Sequence, residues 1–308
     1  MAKILSFVRR SAGTAPSDAA AIAHLTRDFS VEVMPRTAAK IEDFRAILPE
    51  GTRIYLAHID GTDFADMLST ARRLSDEGFR VMPHFPARGI ADRAELAHRI
   101  EAYADLGIRE ALVIAGGIDT PRGEFGDSMQ LLETGLFDRF GFTDLHVAGH
   151  PEGNRDIDAD GSTTRVSAAL RWKNDFQSRT DARMAIATQF CFEPEPVIDW
   201  AESLRAEGIT LPIHIGIAGP AKLQTMIKFA MACGVGPSLR VLQRRAADLS
   251  KLMLPFEPTE MLAALARHKA ANPDFAVERV HFFPLGGIGA TAEYLGRTTP
   301  AARISARA

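Results

Sequence analysis

The sequence has few cysteines and no long apolar run. Cys191 and Cys233 are the only two cysteines in 308 residues, too few for the disulfide framework of a small secreted domain, and their separation is not a zinc-ligand spacing. No segment reaches the ~18 consecutive apolar residues that favour a transmembrane helix. The short apolar start precedes Arg9 and Arg10, whereas a secretory signal places its positive charge first. These absences predict a cytoplasmic protein with no membrane span.

An excess of charge of either sign is also missing. The net charge is -3, with 46% hydrophobic and 24% charged residues, which is typical of a soluble globular protein. This balance gives no electrostatic reason to expect nucleic acid or a membrane surface as a partner. The sequence also lacks a P-loop and the serine motif of hydrolases. We therefore expect the partner to be a small molecule.

What the sequence does contain is a repeated alternation of strand-like and helix-like segments. Eight apolar, strand-like segments span residues 29–35, 53–58, 80–85, 111–117, 145–152, 184–190, 211–216 and 280–287. Helix-like stretches separate nearly all of them, and three of these stretches (63–77, 92–106 and 194–206) are each followed by a glycine and then a strand. Eight strands alternating with helices predict an α/β fold, the (β/α)8 TIM barrel.

The predicted barrel accounts for the whole chain. No break in composition marks a second domain, so we expect residues 1–308 to form one domain with loosely held ends at about 1–15 and 299–308. Residues 220–273 are predicted to hold about three extra helices between strands 7 and 8. These helices would close one side of a cofactor site or provide the contact of a homo-oligomer.

Glu32 is the first candidate for chemistry, because active sites of this fold lie at the carboxyl ends of the strands. Val31 and Val33 lie on one face of the first strand and Glu32 on the other. An inward-facing carboxylate is costly unless it is paired or functional. A role in proton transfer and a salt bridge to a neighbouring strand are the two interpretations.

Two histidines follow the next strands. His58 lies at the end of the second strand, and His84 lies between two prolines at the end of the third. Because proline cannot donate a ladder hydrogen bond, we expect the third strand to end there. Each histidine is a candidate functional group at a strand end, and a structural hydrogen-bonding role is the alternative.

Glycines and a carboxylate follow the fourth strand. Gly116 and Gly117 would let the backbone approach a flat or phosphorylated ligand, and Asp119 follows two residues later. The pattern is not the dinucleotide-binding fingerprint, so a tight turn is the alternative interpretation.

A long polar loop, residues 149–164, follows the fifth strand. It brings together His150, Glu152 and Asn154. Without a cysteine cluster or a helical zinc motif we expect no metal here. A loop of this length at the functional end of a barrel favours ligand binding.

Gln189 lies at the end of the sixth strand, in the segment TQFCF. A side-chain amide donates and accepts at once, as recognition of a pterin-like or nicotinamide-like ring requires. Phe190 and Phe192, beside it, are either core residues or a stacking surface for such a ring.

Taken in order, these segments resemble the methylenetetrahydrofolate reductase family, from about Ser30 to Tyr294. The matching segments are SVEVMPRT in the first strand, the Pro-His pair after the third, HPEGN after the fifth, TQFCF in the sixth and VHFF in the last. The resemblance implies a flavin-containing barrel that interconverts 5,10-methylenetetrahydrofolate and 5-methyltetrahydrofolate with NADH or NADPH, through FAD. It implies that Glu32 is the general acid towards folate N10.

The resemblance also implies roles for the remaining candidates. Gln189 would hydrogen-bond the pterin, with Asp119 and Phe190 beside the substrate. FAD would be held by His58, His84, Gly116, Gly117, His150 and Asn154.

The sequence departs from the family pattern around the expected flavin. The family's fourth strand ends in Leu-Arg-Gly-Asp, whereas this chain reads Ile114-Ala115-Gly116-Gly117-Ile118-Asp119, in which the arginine is missing and the aspartate is displaced. The family's Asn-Arg turn after the last strand is replaced by Gly286 and Gly287. Two alternatives therefore stay open: a flavin-free folate enzyme and a non-catalytic folate-binding subunit.

Overall fold

The computed structural model describes residues 16–232 and 256–299, and in it eight parallel strands form a closed barrel in chain order. The strands are β1 (Ser30–Val33), β2 (Arg53–Leu56), β3 (Arg80–Pro86), β4 (Glu110–Ile114), β5 (Asp144–Gly149), β6 (Arg183–Cys191), β7 (Ile213–Ala218) and β8 (Val277–Phe283). The barrel closes where Ser30 of β1 pairs with His281 of β8. The predicted (β/α)8 barrel is confirmed, and each predicted strand is present with its bounds shifted by a few residues.

Helices surround the barrel. They are α1 (Pro16–Leu25), α2 (Pro35–Ala38), α3 (Phe64–Asp76), α4 (Arg93–Asp105), α5 (Ser128–Glu133), α6 (Leu136–Arg139), α7 (Thr164–Phe176), α8 (Pro194–Ala206), α9 (Leu223–Ala232), α10 (Thr259–Ala271) and α11 (Ile288–Thr298). Short 3-10 turns cover Phe44–Ala46, Ala87–Gly89 and Gln177–Arg179. The described part of the chain contains no helix that is long and apolar enough to cross a membrane.

The sequence defines where the predicted helices begin and end. The carboxylates of Asp63 and Asp92 accept hydrogen bonds from the backbone of the first turns of α3 and α4. After α3, α4 and α8 the chain turns at Gly78, Gly107 and Gly208, whose φ angles of 89°, 75° and 81° are left-handed. The predicted order of helix, glycine and strand is confirmed at these three places.

The third strand does not end where the prolines predicted. β3 continues through Pro83, which lies opposite Leu56 of β2, to Pro86, which lies opposite Ile114 of β4. Pro86 has φ -78° and ψ 108°, so the angle that its ring imposes is compatible with an extended chain. Each proline removes one donor, but the neighbouring residues keep the strand in the sheet. His84 therefore lies inside β3 rather than beyond it.

Alternation along the strands divides the core into two layers. Ile54 and Leu56 face the helices and belong to the large apolar core, whereas Tyr55 points into the barrel, where it packs with Met82 and Leu112. The barrel interior also contains the buried histidines His146, His214 and His281. A polar interior of this kind is unusual for a TIM barrel, in which branched apolar residues dominate.

The connection between β7 and β8 contains α9 and α10, and its middle, residues 233–255, lies outside the described residues together with part of the predicted helices. Ala221 and Phe256 form a short antiparallel bridge across this connection. The predicted loose ends lie outside the described residues, except for Thr299 at the start of the second one. Its side chain is fully buried and its hydroxyl lies 2.5 Å from that of Thr26 in the segment after α1.

Candidate functional site

Glu32 occupies the position that the strand pattern predicted. Its neighbours Val31 and Val33 are buried in the outer apolar layer, while Glu32 lies opposite Tyr55 of β2 and faces the barrel interior. The side chain of Glu32 keeps 24% of its surface exposed. The carboxylate is therefore reachable from the carboxyl end of the barrel.

Two imidazoles flank this carboxylate. Oε2 of Glu32 lies 3.7 Å from Nε2 of His84 and 3.9 Å from Nε2 of His281. Both distances exceed those of a hydrogen bond. In the described part of the chain, Glu32 thus has no direct hydrogen-bond donor, and the expected salt bridge to a neighbouring strand is present only as these two long contacts.

His84 is the most unusual group in this cluster. Burial lowers its pKa to about 4, an effect that the nearby Glu32 carboxylate opposes, so the imidazole is neutral at pH 7. Its Nε2 is buried and has no hydrogen-bond partner among the described residues. A buried nitrogen without a partner is costly, which favours a bound group at this point.

His281 is held in place from the other side. Its Nδ1 lies 3.0 Å from the hydroxyl of Ser30, at the seam where β8 closes onto β1. The ring of His281 also packs on that of Tyr55, with 4.2 Å between the ring centroids. These contacts fix the orientation of the imidazole that faces Glu32.

His58 lies near the same cluster, just after β2. It is half-buried, and burial, together with the positive charge of Arg99, lowers its pKa. It also contributes to the low pKa of His84. The structure therefore brings together Glu32, His84 and His58 at neighbouring strand ends.

A pocket lies at the same end of the barrel, between the loop after β5 and the end of β6. It has a volume of about 170 Å³. The lining contains four of the predicted site residues: His150, Asn154, Gln189 and Phe190. The resemblance implied that His150 and Asn154 bind the cofactor and that Gln189 and Phe190 bind the substrate, whereas in the structure all four line the same pocket.

A bulge positions Gln189 at this pocket. The register between β6 and β7 shifts between Ala187 and Phe190. Within the bulge the hydroxyl of Thr188 accepts a hydrogen bond of 2.8 Å from the backbone N–H of Gly216. A Cβ at position 216 would lie 2.5 Å from the carbonyl oxygen of Thr188, so only glycine permits this approach. Such bulges re-aim side chains next to functional sites.

The amide of Gln189 is only partly used by the protein. Its Oε1 accepts a 3.1 Å hydrogen bond from the backbone N–H of Phe190, and its Nε2 has no partner in the described ranges. The ring of Phe190 is 1% exposed and packs edge-on against Phe192 and Phe283. Phe190 is therefore chiefly a core residue beneath the pocket, while Gln189 presents a free donor to it.

The polar loop is held by its own side chains. Asp158 is buried and accepts hydrogen bonds of 2.9 and 3.0 Å from the backbone of Arg165 and Val166, at the start of α7. The side-chain oxygen of Asn154 accepts from the backbone of Asp156, also at 2.9 Å. The amide N–H₂ group of Asn154 is consequently the part of this residue that remains for a ligand.

A buried lysine behind the loop was missed by the sequence analysis. Burial lowers the pKa of Lys173 on α7 to about 8, and the ammonium lies 3.4 Å from the carbonyl oxygen of Ala148. Burial and this nearby lysine lower the pKa of His150 to about 4. The available signal was the helical spacing of Val166, Leu170 and Lys173, which places the lysine on the apolar face of its helix.

The loop after β4 is less enclosed. Gly116 has φ 93°, and a Cβ there would lie 3.0 Å from the Cβ of Pro86, so this close approach requires glycine. Gly117 and Asp119 are exposed. Arg88 holds this loop through hydrogen bonds to the carbonyl oxygens of Ile118 and Gly126 at 3.1 and 3.0 Å. Asp119 is thus not drawn into the pocket that Gln189 lines.

Comparison with known proteins adds one finding on the fold. No family model matches the chain. Among solved structures, a similar one is an uncharacterized protein from Clostridium thermocellum that binds two copies of 5-methyl-5,6,7,8-tetrahydrofolic acid. It superposes with a TM-score of 0.57 over 92% of this chain and 95% of that chain, at 10% sequence identity. At that identity the match shows a shared barrel fold.

Proposed function

We propose that this barrel is a folate enzyme that interconverts 5,10-methylenetetrahydrofolate and 5-methyltetrahydrofolate with NADH or NADPH. The observation that carries the proposal is the Glu32 cluster. A partly exposed carboxylate without a hydrogen-bond donor in the described chain faces a buried imidazole nitrogen that also lacks a partner. Buried or partly buried polar groups that lack hydrogen-bond partners at a strand end are more typical of a catalytic role than of a structural one.

Two further observations support folate as the ligand. The barrel from Clostridium thermocellum, which superposes on 92% of this chain, binds 5-methyl-5,6,7,8-tetrahydrofolic acid. In this chain, Gln189 presents an unused amide donor to a pocket of about 170 Å³. A pterin ring displays both donors and acceptors along its edge, which is the pattern that a side-chain amide recognises.

In the proposed reaction, Glu32 supplies the proton. It protonates N10 of the folate, the five-membered ring opens, and the positive charge moves to the iminium formed by N5 and the methylene carbon. A hydride from the nicotinamide then adds to that carbon, giving 5-methyltetrahydrofolate and oxidised NAD(P). One proton and one hydride are consumed, and the reverse reaction returns both. The neutral His84 and the Ser30-bound His281 flank the carboxylate at 3.7 and 3.9 Å.

FAD, which the sequence resemblance implies, would carry the hydride between nicotinamide and folate. The residues that the resemblance assigns to FAD are divided between two places: His150 and Asn154 line the pocket at Gln189, whereas His84 lies beside Glu32. Asp119 and Gly117, expected near the flavin, are exposed. Two routes are therefore open in the proposed reaction, hydride transfer through FAD and direct transfer from the nicotinamide, and the following experiment distinguishes them.

The test is an assay of purified protein with 5,10-methylenetetrahydrofolate and either nicotinamide cofactor, followed by loss of the reduced nicotinamide and formation of 5-methyltetrahydrofolate. The absorption spectrum is recorded first, and the assay is repeated with added FAD. Turnover without flavin absorbance supports direct transfer, whereas turnover that requires added or bound FAD supports the flavin route. No turnover under any of these conditions, with either cofactor and in either direction, would overturn the proposal.

A second candidate is a folate-binding protein without redox chemistry. The observation that favours it is the binding of two folate molecules by the barrel from Clostridium thermocellum. In this chain the pocket at Gln189 is lined by neither Glu32 nor His84, so two separate polar places exist at this end of the barrel. Calorimetric titration with 5-methyltetrahydrofolate distinguishes the cases, since two bound molecules per chain and no turnover would favour the binding protein.

A further inference from the structure

The opposite end of the barrel encloses a second cavity, which the proposed folate chemistry does not use. Its volume is about 250 Å³. Four arginines line it. Arg53, Arg80 and Arg183 are the first residues of β2, β3 and β6, and Arg279 lies near the start of β8. This cavity is called the amino-terminal cavity below, because it lies where the strands begin.

The carboxylates of the amino-terminal cavity are already engaged or exposed. Asp144 accepts from Arg53 at 3.3 Å through one oxygen and from Arg183 at 2.9 Å through the other. Glu110, behind the lining, accepts from Arg53 at 2.6 Å and from Arg80 at 2.8 Å. Neither carboxylate therefore has an oxygen free of arginine with which to hold a cation. Glu278, the other acidic residue of the lining, is exposed.

Arg279 differs from the other three arginines. It is half-buried and has no ion pair or hydrogen bond within the described ranges. It lies on β8 opposite His214 of β7, so its backbone position is fixed by the sheet. Four arginines and the three carboxylates of Asp144, Glu110 and Glu278 give the cavity and its surroundings a net charge of +1. Arg279 is the arginine whose hydrogen-bond donors are not used by these carboxylates.

The histidines of the cavity contribute another donor. Arg53 only donates, so its 3.5 Å contact makes Nε2 of His146 an acceptor, and Nδ1 of His146 then carries the hydrogen towards the Tyr55 hydroxyl. The Tyr55 hydroxyl in turn donates to Nδ1 of His214, 3.5 Å away. A neutral His214 consequently carries its hydrogen on Nε2. Burial and the nearby arginines lower the pKa of both histidines well below the usual value, which keeps them neutral.

We propose that the amino-terminal cavity binds a small oxyanion, of the phosphate class. Arg279 and Nε2 of His214 offer donors that no described protein group accepts, in a cavity whose buried carboxylate, Asp144, is already bonded to Arg53 and Arg183. An oxyanion accepts from both at once and balances the net positive charge. The shared chemistry is a phosphate group, which is present both in free phosphate and in a small phosphomonoester.

The test is calorimetric titration of the full chain with inorganic phosphate and, separately, with glycerol phosphate, at constant ionic strength. We expect one saturable site, and the ligand that binds more tightly identifies the source of the phosphate group. In Arg279→Gln the affinity should fall about tenfold or more, the value of one charged hydrogen bond. Because Arg279 holds no carboxylate, its removal should leave the fold intact, which the melting temperature without phosphate checks.

The matched control is Arg72→Gln, on the exposed surface of α3, which removes the same charge far from the cavity. Its affinity should equal that of the unaltered protein. The absence of a saturable site for both ligands would overturn the proposal, as would an equal loss in both variants or an unchanged affinity in Arg279→Gln. None of these measurements depends on folate, so the result is independent of the proposed reaction.

Discussion

The two ends of this barrel treat buried charge in opposite ways. Where the strands begin, Arg53 lies between Glu110 and Asp144, at 2.6 and 3.3 Å, and the side chains are almost completely buried. Where the strands end, the carboxylate of Glu32 lies 3.7 Å from the nearest imidazole, and the nitrogen of that imidazole has no partner in the described residues. The charges around Arg53 are thus satisfied within the protein, whereas the carboxylate of Glu32 is left for a ligand.

This difference follows from the architecture. In TIM barrels the carboxyl ends of the strands hold the active site, and the amino ends contribute mainly stability. A paired charge at the amino end is costly to break, because the remaining partner stays buried. An unpaired group at the other end weakens the fold, and it is retained when it contributes to function. Substitutions at the two ends should therefore affect different measurements.

The largest effect is expected for Glu32→Gln. The amide keeps the shape of the side chain but cannot donate the proton that N10 requires, so folate turnover should fall by ~10²-fold or more. Thermal stability should change little, since Glu32 has only the two long contacts to histidines. Glu101→Gln, at an exposed position on α4, is the control and should retain full turnover. Nearly unaltered turnover in Glu32→Gln would remove it from the proposed mechanism.

At the opposite end, Glu110→Gln should act on stability instead. The substitution leaves the buried Arg53 with Asp144 as its remaining carboxylate, and breaking such a pair costs about 3–5 kcal/mol of unfolding free energy. The exposed pair of Arg171 and Glu207 provides the control, because Glu207→Gln should cost less than ~1 kcal/mol. Denaturant unfolding measures both. If Glu110→Gln lowers folate turnover without lowering stability, the division between the two ends is wrong.

The sequence predicted the positions that depend on local patterns. Glu32 was found because it interrupts a valine alternation, and Gln189 because it follows a strand with a distinctive motif. The long polar loop was also recognised, and its residues His150 and Asn154 do line a pocket. These features depend on neighbours within a few residues, so a single sequence contains enough information to find them.

Contacts that depend on barrel closure could not be predicted in this way. Ser30 and His281 lie 251 residues apart and meet only because β8 pairs with β1. Arg53 and Asp144, which are 91 residues apart, become neighbours across the amino end of the barrel. The missing N–H of proline predicted that β3 would end at Pro83. The φ angle that the proline ring imposes also suits an extended chain, so β3 continues through this residue.

The pH dependence of stability tests the buried imidazole of Glu32's cluster. His84 has a pKa of about 4 in the folded chain and ~6.5 when unfolded, so between these values only the unfolded chain takes up the proton. Stability is therefore lost as the pH falls from 6.5 towards 4, by about 3 kcal/mol for this one group. In His84→Asn that loss should disappear. The number of protons taken up on unfolding between pH 4 and 6.5, which the slope of unfolding free energy against pH reports, should then decrease by about one.

The control for this measurement is His98→Asn, on the exposed face of α4. In this variant the slope of unfolding free energy against pH should match that of the unaltered protein, because His84 and the other buried histidines are all still present. An identical slope in His84→Asn would mean that His84 takes up its proton equally in the folded and the unfolded chain, and its lowered pKa in the folded chain would have to be abandoned.

The smallest expected effect sharpens the comparison within the carboxyl end itself. Gln189→Ala removes the amide N–H₂ group that faces the pocket, and the polar edge of a bound pterin would be left unpaired. Folate binding should weaken by roughly 1–3 kcal/mol, while binding of NADH or NADPH should stay unchanged. Titration calorimetry with each ligand separates the two, with Gln224→Ala on the exposed side of α9 as the control.

The side chain of Gln189 also supports the bulge in β6, because its Oε1 accepts a hydrogen bond from the backbone N–H of Phe190, so the melting temperature must be measured together with the affinity. Equal weakening of both ligands would identify Gln189 as a support of the bulge, and the recognition of the folate ring would then have to come from other residues of the pocket.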